Sequence, residues 1–166
     1  MDVLYHGIVG FAIAKTLGPR YEAAGVLAAI APDIAGSIPY FYFKLQEVST
    51  KSVKIFVHDF VGMFGKNKFK NNIDRIPYQT THSLFFAALV SIFAYIFFRP
   101  AWPVVSLSYI SHILIDIPTH DGDFTTYFLF PFSRMHVNGK NWAKNPGIFF
   151  AFWGGLILLL PAAVLR

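Results

Sequence analysis

The sequence predicts an all-α fold: an integral-membrane bundle of about five helices with one further amphipathic helix lying in the membrane interface. Three observations lead there. Hydrophobic residues make up 55% of the 166 and charged residues only 14%, with mean hydropathy +0.49, whereas a soluble domain carries about 25% charged residues. Residues 147–165 form a run of nineteen uncharged residues, enough to cross a bilayer as a helix. The third observation is the placement of histidines and aspartates at the ends of the apolar segments rather than within them.

In chain order, residues 5–17 are apolar with small residues interspersed, and Gly18-Pro19-Arg20 breaks them. Residues 21–31 read as a second short helix stopped near Pro32-Asp33, so the pair forms a helical hairpin too short for two full spans. The Met-Asp start, without a basic leader region, is unlike a signal peptide. Residues 37–80 form a polar, lysine-rich insert or lid in a chain otherwise read as one domain over 1–166. Within it, residues 53–64 (VKIFVHDFVGMF) have the amphipathic spacing of an interfacial helix, and His58-Asp59 reads as its polar face. Residues 83–98 carry no charge and read as a span, slightly short unless Thr80 to His82 extend it. After Arg99-Pro100 the chain returns over residues 103–117, a span expected to stop at Pro118. A polar loop over 119–146 leads to the final span.

Ser111 to Asp123, SHILIDIPTHDGD, organises the rest. His112 and Asp116 stand four residues apart, one turn on the same helix face, and His120 follows. The plain alternative is a buried, hydrogen-bonded His–Asp pair. A weak internal echo argues for more. Tyr5-His6 opens the first hairpin and Pro32-Asp33 closes it; Thr81-His82 opens the second and His112 to Asp116 closes it. The start of one antiparallel helix lies beside the end of the next, so His6, Asp33, His82, His112, Asp116 and His120 should gather at one rim of the bundle. Ionisable groups at membrane depth are costly and mark functional sites. With no cysteine in the chain, any metal must be held by imidazole and carboxylate. Asp121 and Asp123 beside Gly122 read as turn formers, and His136 as loop surface.

Ten of the fourteen Lys and Arg lie in residues 32–82 and 119–146, at the rim carrying these groups. The positive-inside rule then predicts a multi-pass protein of the inner (cytoplasmic) membrane with the site facing the cytoplasm. The net charge of +5 points to anionic lipid as partner, not nucleic acid.

The order His6, Asp33 after Pro32, Thr81-His82-Ser83, His112-x-x-x-Asp116 and Phe-Pro-Phe-Ser-Arg at 130–134 resembles the bacterial and archaeal integral-membrane proteins known as membrane-bound metal-dependent hydrolases. The resemblance covers most of the chain apart from residues 40–80. The order is also similar to that of zinc-dependent phospholipase C and the single-strand nucleases of that helical fold. The resemblance implies one or two divalent ions, zinc by that analogy. Asp116 would bridge two ions, His6 would bind the first, and Asp33, His82 and His112 the second. His120 would be a further ligand or a base, and Asp33 or His120 would orient or deprotonate the attacking water. Arg134, Lys140 and Lys144 near the mouth would hold a phosphate, though Arg134 also fits a snorkelling interfacial residue. The chain departs from the soluble enzymes by lacking their N-terminal tryptophan and later His-x-x-x-Glu, and from the membrane family by having Ala35 where a second acid follows Asp33. The expected function is hydrolysis of a phosphoester or phospholipid headgroup through a dinuclear His/Asp site. The alternatives are a metal transporter or sensor, and a catalytically degenerate scaffold for which Ala35 is the main support.

Overall fold

The computed structural model describes residues 1–48 and 75–164, with side chains described for 1–38 and 75–163. The proposed interfacial helix over 53–64, with His58-Asp59, lies outside the described residues. Among those described, six α-helices are present: α1 Val3–Leu17, α2 Glu22–Val48, α3 Ile76–Thr81, α4 Leu84–Phe97, α5 Trp102–Thr119 and α6 Pro146–Val164. Short 3₁₀ turns at Pro19–Tyr21 and Gly122–Phe124 complete the regular structure. Among the described residues the regular structure is helical and contains no strand, in line with the all-α expectation.

Helices α1 and α2 pack backbone to backbone. A Cβ built on Gly10 would lie 2.3 Å from the Gly25 carbonyl oxygen, and one on Gly25 would lie 2.5 Å from that of Gly10. Small residues at such a crossing let two helices share dispersion contacts without a hydrophobic driving force. The hairpin packs on α5, α3 packs on α2, α4 on α5, and α6 leans on α1.

Three boundaries differ from the sequence expectation. Helix α2 does not stop at Pro32 but runs to Val48. Proline removes one intrahelical bond, yet the helix continues where α3 docks on it, with the Thr81 hydroxyl 3.1 Å from the Pro32 carbonyl and the Pro77 and Tyr78 carbonyls also within its reach. A Cβ on Gly36 would come within 2.8 Å of the same hydroxyl, so α3 sits directly against α2 there. Helix α5 likewise passes Pro118 and ends at Thr119, capped by the His120 N–H to the Asp116 carbonyl at 3.2 Å. Helix α4 is not extended by residues 80–82. His82 breaks the chain out of α3, and Ser83 restarts it as an N-cap, accepting from the Phe86 N–H at 3.1 Å.

The distribution of side chains is inverted relative to a soluble domain. Ile92, Phe93, Ile96 and Phe97 on α4 and Leu158 and Leu159 on α6 are exposed, while His6, His82, His112 and Asp116 are fully buried. One helix, α6, is long and apolar enough by itself to cross a membrane over Pro146–Ala163. Helices α1 and α4 are apolar but shorter, α4 with its 14 residues spanning roughly 21 Å against a hydrocarbon core of about 30 Å.

Candidate metal centre

All six histidines and aspartates named at the rim come together. His6 is carried by the first turns of α1, Asp33 by the middle of α2, His82 by the junction of α3 and α4, and His112, Asp116 and His120 by the last two turns of α5 and its cap. The spacing of four along α5 aims His112 and Asp116 at the same point, with His112 Nε2 3.2 Å from Asp116 Oδ2.

Two carbonyls fix the protonation of the central imidazoles. His82 Nδ1 lies 2.9 Å from the Tyr78 carbonyl, four residues back, and His112 Nδ1 lies 2.6 Å from the Ala29 carbonyl on α2. A carbonyl oxygen only accepts, so each Nδ1 carries its hydrogen and donates. In the neutral rings both Nε2 atoms are then bare lone pairs, yet they face each other at 3.1 Å. Asp33 Oδ1 joins them, 3.4 Å from His82 Nε2 and 3.8 Å from His112 Nε2. Asp116 Oδ2 completes the set at 3.6 Å and 3.2 Å from the same two nitrogens. It is buried and accepts no hydrogen bond. Four acceptor atoms therefore converge with no donor among them.

These spacings suit a cation. The four ligand atoms lie within 4.8 Å of one another and could hold a metal ion. Bonds of about 2.1 Å in a tetrahedral site imply ligand–ligand edges of about 3.4 Å, in the middle of the 3.1–3.8 Å spanned by the five edges that involve a histidine. Carbonyl partners on the far ring nitrogens are the usual way in which a protein orients metal-binding histidines. Burial pulls the His82 imidazole below its ordinary range, with its bond to Asp33 pushing the other way. Burial alone would raise the Asp33 carboxyl, but His82 and His112 hold it down, to about 2.

The other carboxylate oxygen behaves differently. Asp116 Oδ1 has the Met1 amino nitrogen at 2.6 Å, His6 Nε2 at 3.0 Å and His120 Nδ1 at 3.2 Å. The His6 ring stacks on His112 with centroids 3.7 Å apart, and its Nδ1 is buried without a partner. Asp116 thus has His82 and His112 on its Oδ2 flank, with Asp33 beyond them, and Met1, His6 and His120 on its Oδ1 flank.

Solvent reaches the cluster through Asp33 and His120, whose side chains are 21% and 12% exposed. Lys140 is exposed on the loop after α5, and its backbone N–H donates to the Pro118 carbonyl, which ties this loop to the rim. Arg134 is exposed further along the same loop, as is His136. Asp121 holds its turn by accepting from Asn141 at 3.1 Å. Ala35 is exposed on α2. An acid there would stand two helical residues from Asp33 and point away from the cluster.

Sequence reasoning missed the supporting groups. Tyr78 stacks on His82 at 3.9 Å besides lending its carbonyl. The Ala29 carbonyl, the Met1 amino group and Thr119, 3.2 Å from that amino nitrogen, were not foreseen either. Backbone groups carry no residue signature, so only the spacing of four between Tyr78 and His82 was available as a hint.

A family model for the YdjM inner membrane proteins matches residues 1–165. The chain belongs to that family. It is accordingly a membrane protein. No curated protein and no solved structure matches it significantly.

Proposed function

We infer that this member of the inner membrane family is a multi-pass, metal-dependent hydrolase of phosphoesters, phospholipid headgroups included. The observation that carries the reading is the meeting of His82 Nε2, His112 Nε2, Asp33 Oδ1 and Asp116 Oδ2, with both Nδ1 atoms turned away to backbone carbonyls. Without a cation or an added proton, that arrangement is four lone pairs in a buried space, which is costly. A divalent ion relieves it. Asp33, His82, His112 and Asp116 would hold the principal ion, zinc by the donor set. His6 and His120, on the Oδ1 flank, offer a second position bridged by Asp116, which the Met1 amino group would have to leave.

When bound, such ions polarise a phosphoryl oxygen and make water a usable nucleophile near neutral pH. The chain's own groups do the rest. Asp33 is the ligand with solvent exposure, so it can accept the proton of an attacking water on the open side. His120 stands at the same opening. The buried His6 and His112 rings, stacked on each other, hold the ligand geometry and exclude water from behind. Lys140 and Arg134 on the rim loop supply positive charge for an anionic headgroup. The concentration of Lys and Arg in the sequence segments 32–82 and 119–146 favours a cytoplasmic orientation.

Metal transport is the weaker reading, because residues 85–98 and 103–111 contain no Asp, Glu, Lys, Arg or His that would continue a polar track. A degenerate scaffold loses its main support, since the exposed Ala35 does not occupy a ligand position.

The test is elemental analysis of protein purified without chelator, alongside hydrolysis of bis-p-nitrophenyl phosphate. One to two equivalents of a divalent metal are expected, with hydrolysis that stops on chelation and returns with zinc. A metal-free, folded wild-type preparation that takes up no zinc would overturn the reading.

A further inference from the structure

Away from the metal centre, α1, α5 and α6 enclose an open groove of about 920 Å³ lined almost wholly by apolar side chains, among them Val9, Ile13, Ile110, Leu114, Gly155 and Leu159. We propose that this groove is a binding site for one acyl chain of an anionic phospholipid from the leaflet on the metal-centre side. The volume is within the roughly 300–1,000 Å³ typical of ligand sites.

Its length selects the occupant. The groove runs from Tyr5 to Leu17 along α1, roughly 18 Å at 1.5 Å per residue. One leaflet contributes roughly 15 Å of hydrocarbon, half of the core, whereas a partner helix crossing the bilayer needs about 30 Å. The groove is therefore one acyl chain deep and too short for a spanning helix. Its wall is α6, the helix apolar and long enough to cross the membrane, so its open side faces lipid. A Cβ added at Gly155 would meet nothing within 4 Å among the described residues, so none of them fills this part of the wall.

The head of the groove selects the headgroup. There Tyr5 and Ile115, each next in sequence to a residue of the metal centre, pack in a cluster with Trp142. Lys140 and Lys144, both exposed, stand two residues either side of Trp142. The Trp142 N–H donates to the Thr119 carbonyl at 3.1 Å, which holds this segment at the end of α5. Trp142, packed near Tyr5 and with a lysine two residues to either side in sequence, gives the head of the groove a setting complementary to an anionic phosphate with its chain below. The site does not require the metal centre to be active.

The test uses the whole protein reconstituted in vesicles of phosphatidylethanolamine and phosphatidylglycerol, with a trace of phosphatidylglycerol carrying a diazirine midway along one chain. Photolysis should label Val9, Ile13, Ile110, Leu114 and Leu159 at least fivefold above the outward α4 residues Phe93 and Ile96. Gly155→Trp should remove most of that excess, with Leu114→Trp as the second variant if the first does not fold. A matched phosphatidylcholine probe should label the groove at least threefold less, and Lys140→Gln with Lys144→Gln should erase the difference. Uniform labelling of α4 and the groove, equal capture of the two lipids, or a disulfide between two copies of Gly155→Cys would each overturn the proposal. Metal content measured on the same samples keeps the two readings apart. Groove labelling in metal-free protein would sink the hydrolase alone, and bound metal without groove labelling would sink the lipid site alone.

Discussion

His112 is bound on both sides of its ring. Its Nδ1 is committed to the Ala29 carbonyl at 2.6 Å, and its Nε2 faces Asp33, His82 and Asp116. Replacing it removes a ligand and the imidazole that docks α5 on the Ala29 carbonyl of α2. His112→Ala should therefore cost at least tenfold in zinc retention, read by elemental analysis after dialysis, together with some thermal stability. Ala35→Asp separates the metal reading from the degenerate-scaffold one. Because residue 35 is exposed on the other side of α2, this substitution should change metal content and hydrolysis less than twofold; a large rise in activity would show that the missing acid matters after all. Asp33 and His112 were legible as ligand types from their residue identities. Their protonation was not, because it is set by backbone carbonyls of Tyr78 and Ala29 that any residue would supply.

At the scale of elements, the α1–α2 crossing is the tightest feature of the fold. Gly10→Leu would drive a side chain into the Gly25 carbonyl, 2.3 Å from where its Cβ must sit. It should destabilise the protein by roughly 3 kcal/mol or more, seen as a lowered melting temperature in detergent. Ser83→Ala removes the N-cap of α4, whose bond to the Phe86 N–H is 3.1 Å. It should cost about 1 kcal/mol and, because His82 is the next residue, loosen metal binding as well. The apolar runs and most turns were readable from composition and from Gly-Pro punctuation. The ends of α2 and α5 were not. A proline signals a lost hydrogen bond in any sequence, but Thr81 on the Pro32 carbonyl and α3 on Gly36 are contacts from distant chain, and they decide whether the helix goes on.

For the whole molecule, the inverted burial pattern sets the orientation question. The chain has no cysteine, so single cysteines report topology without background. With the metal centre on the cytoplasmic side, Met135→Cys should resist a membrane-impermeant maleimide in intact cells and react after permeabilisation, whereas Pro100→Cys at the opposite end should react from outside. The reverse pattern would invert the assigned topology. Chelation should act globally too. The ion would tie α2, α5 and the α3–α4 junction together, so chelator should lower the melting temperature of wild type by several degrees and that of His112→Ala much less.

The sequence by itself determined that the chain is helical and membrane-bound, and that two hairpins bring histidine and aspartate to the same end. Those conclusions need only composition, residue period and the antiparallel sense of a short turn, all of which are local. Tertiary structure alone decided how the two oxygens of Asp116 divide their partners, which carbonyls face the imidazoles, and that an apolar groove opens between α1, α5 and α6. Each of these depends on angles and separations between segments far apart in the chain, and no local pattern encodes a distance across space.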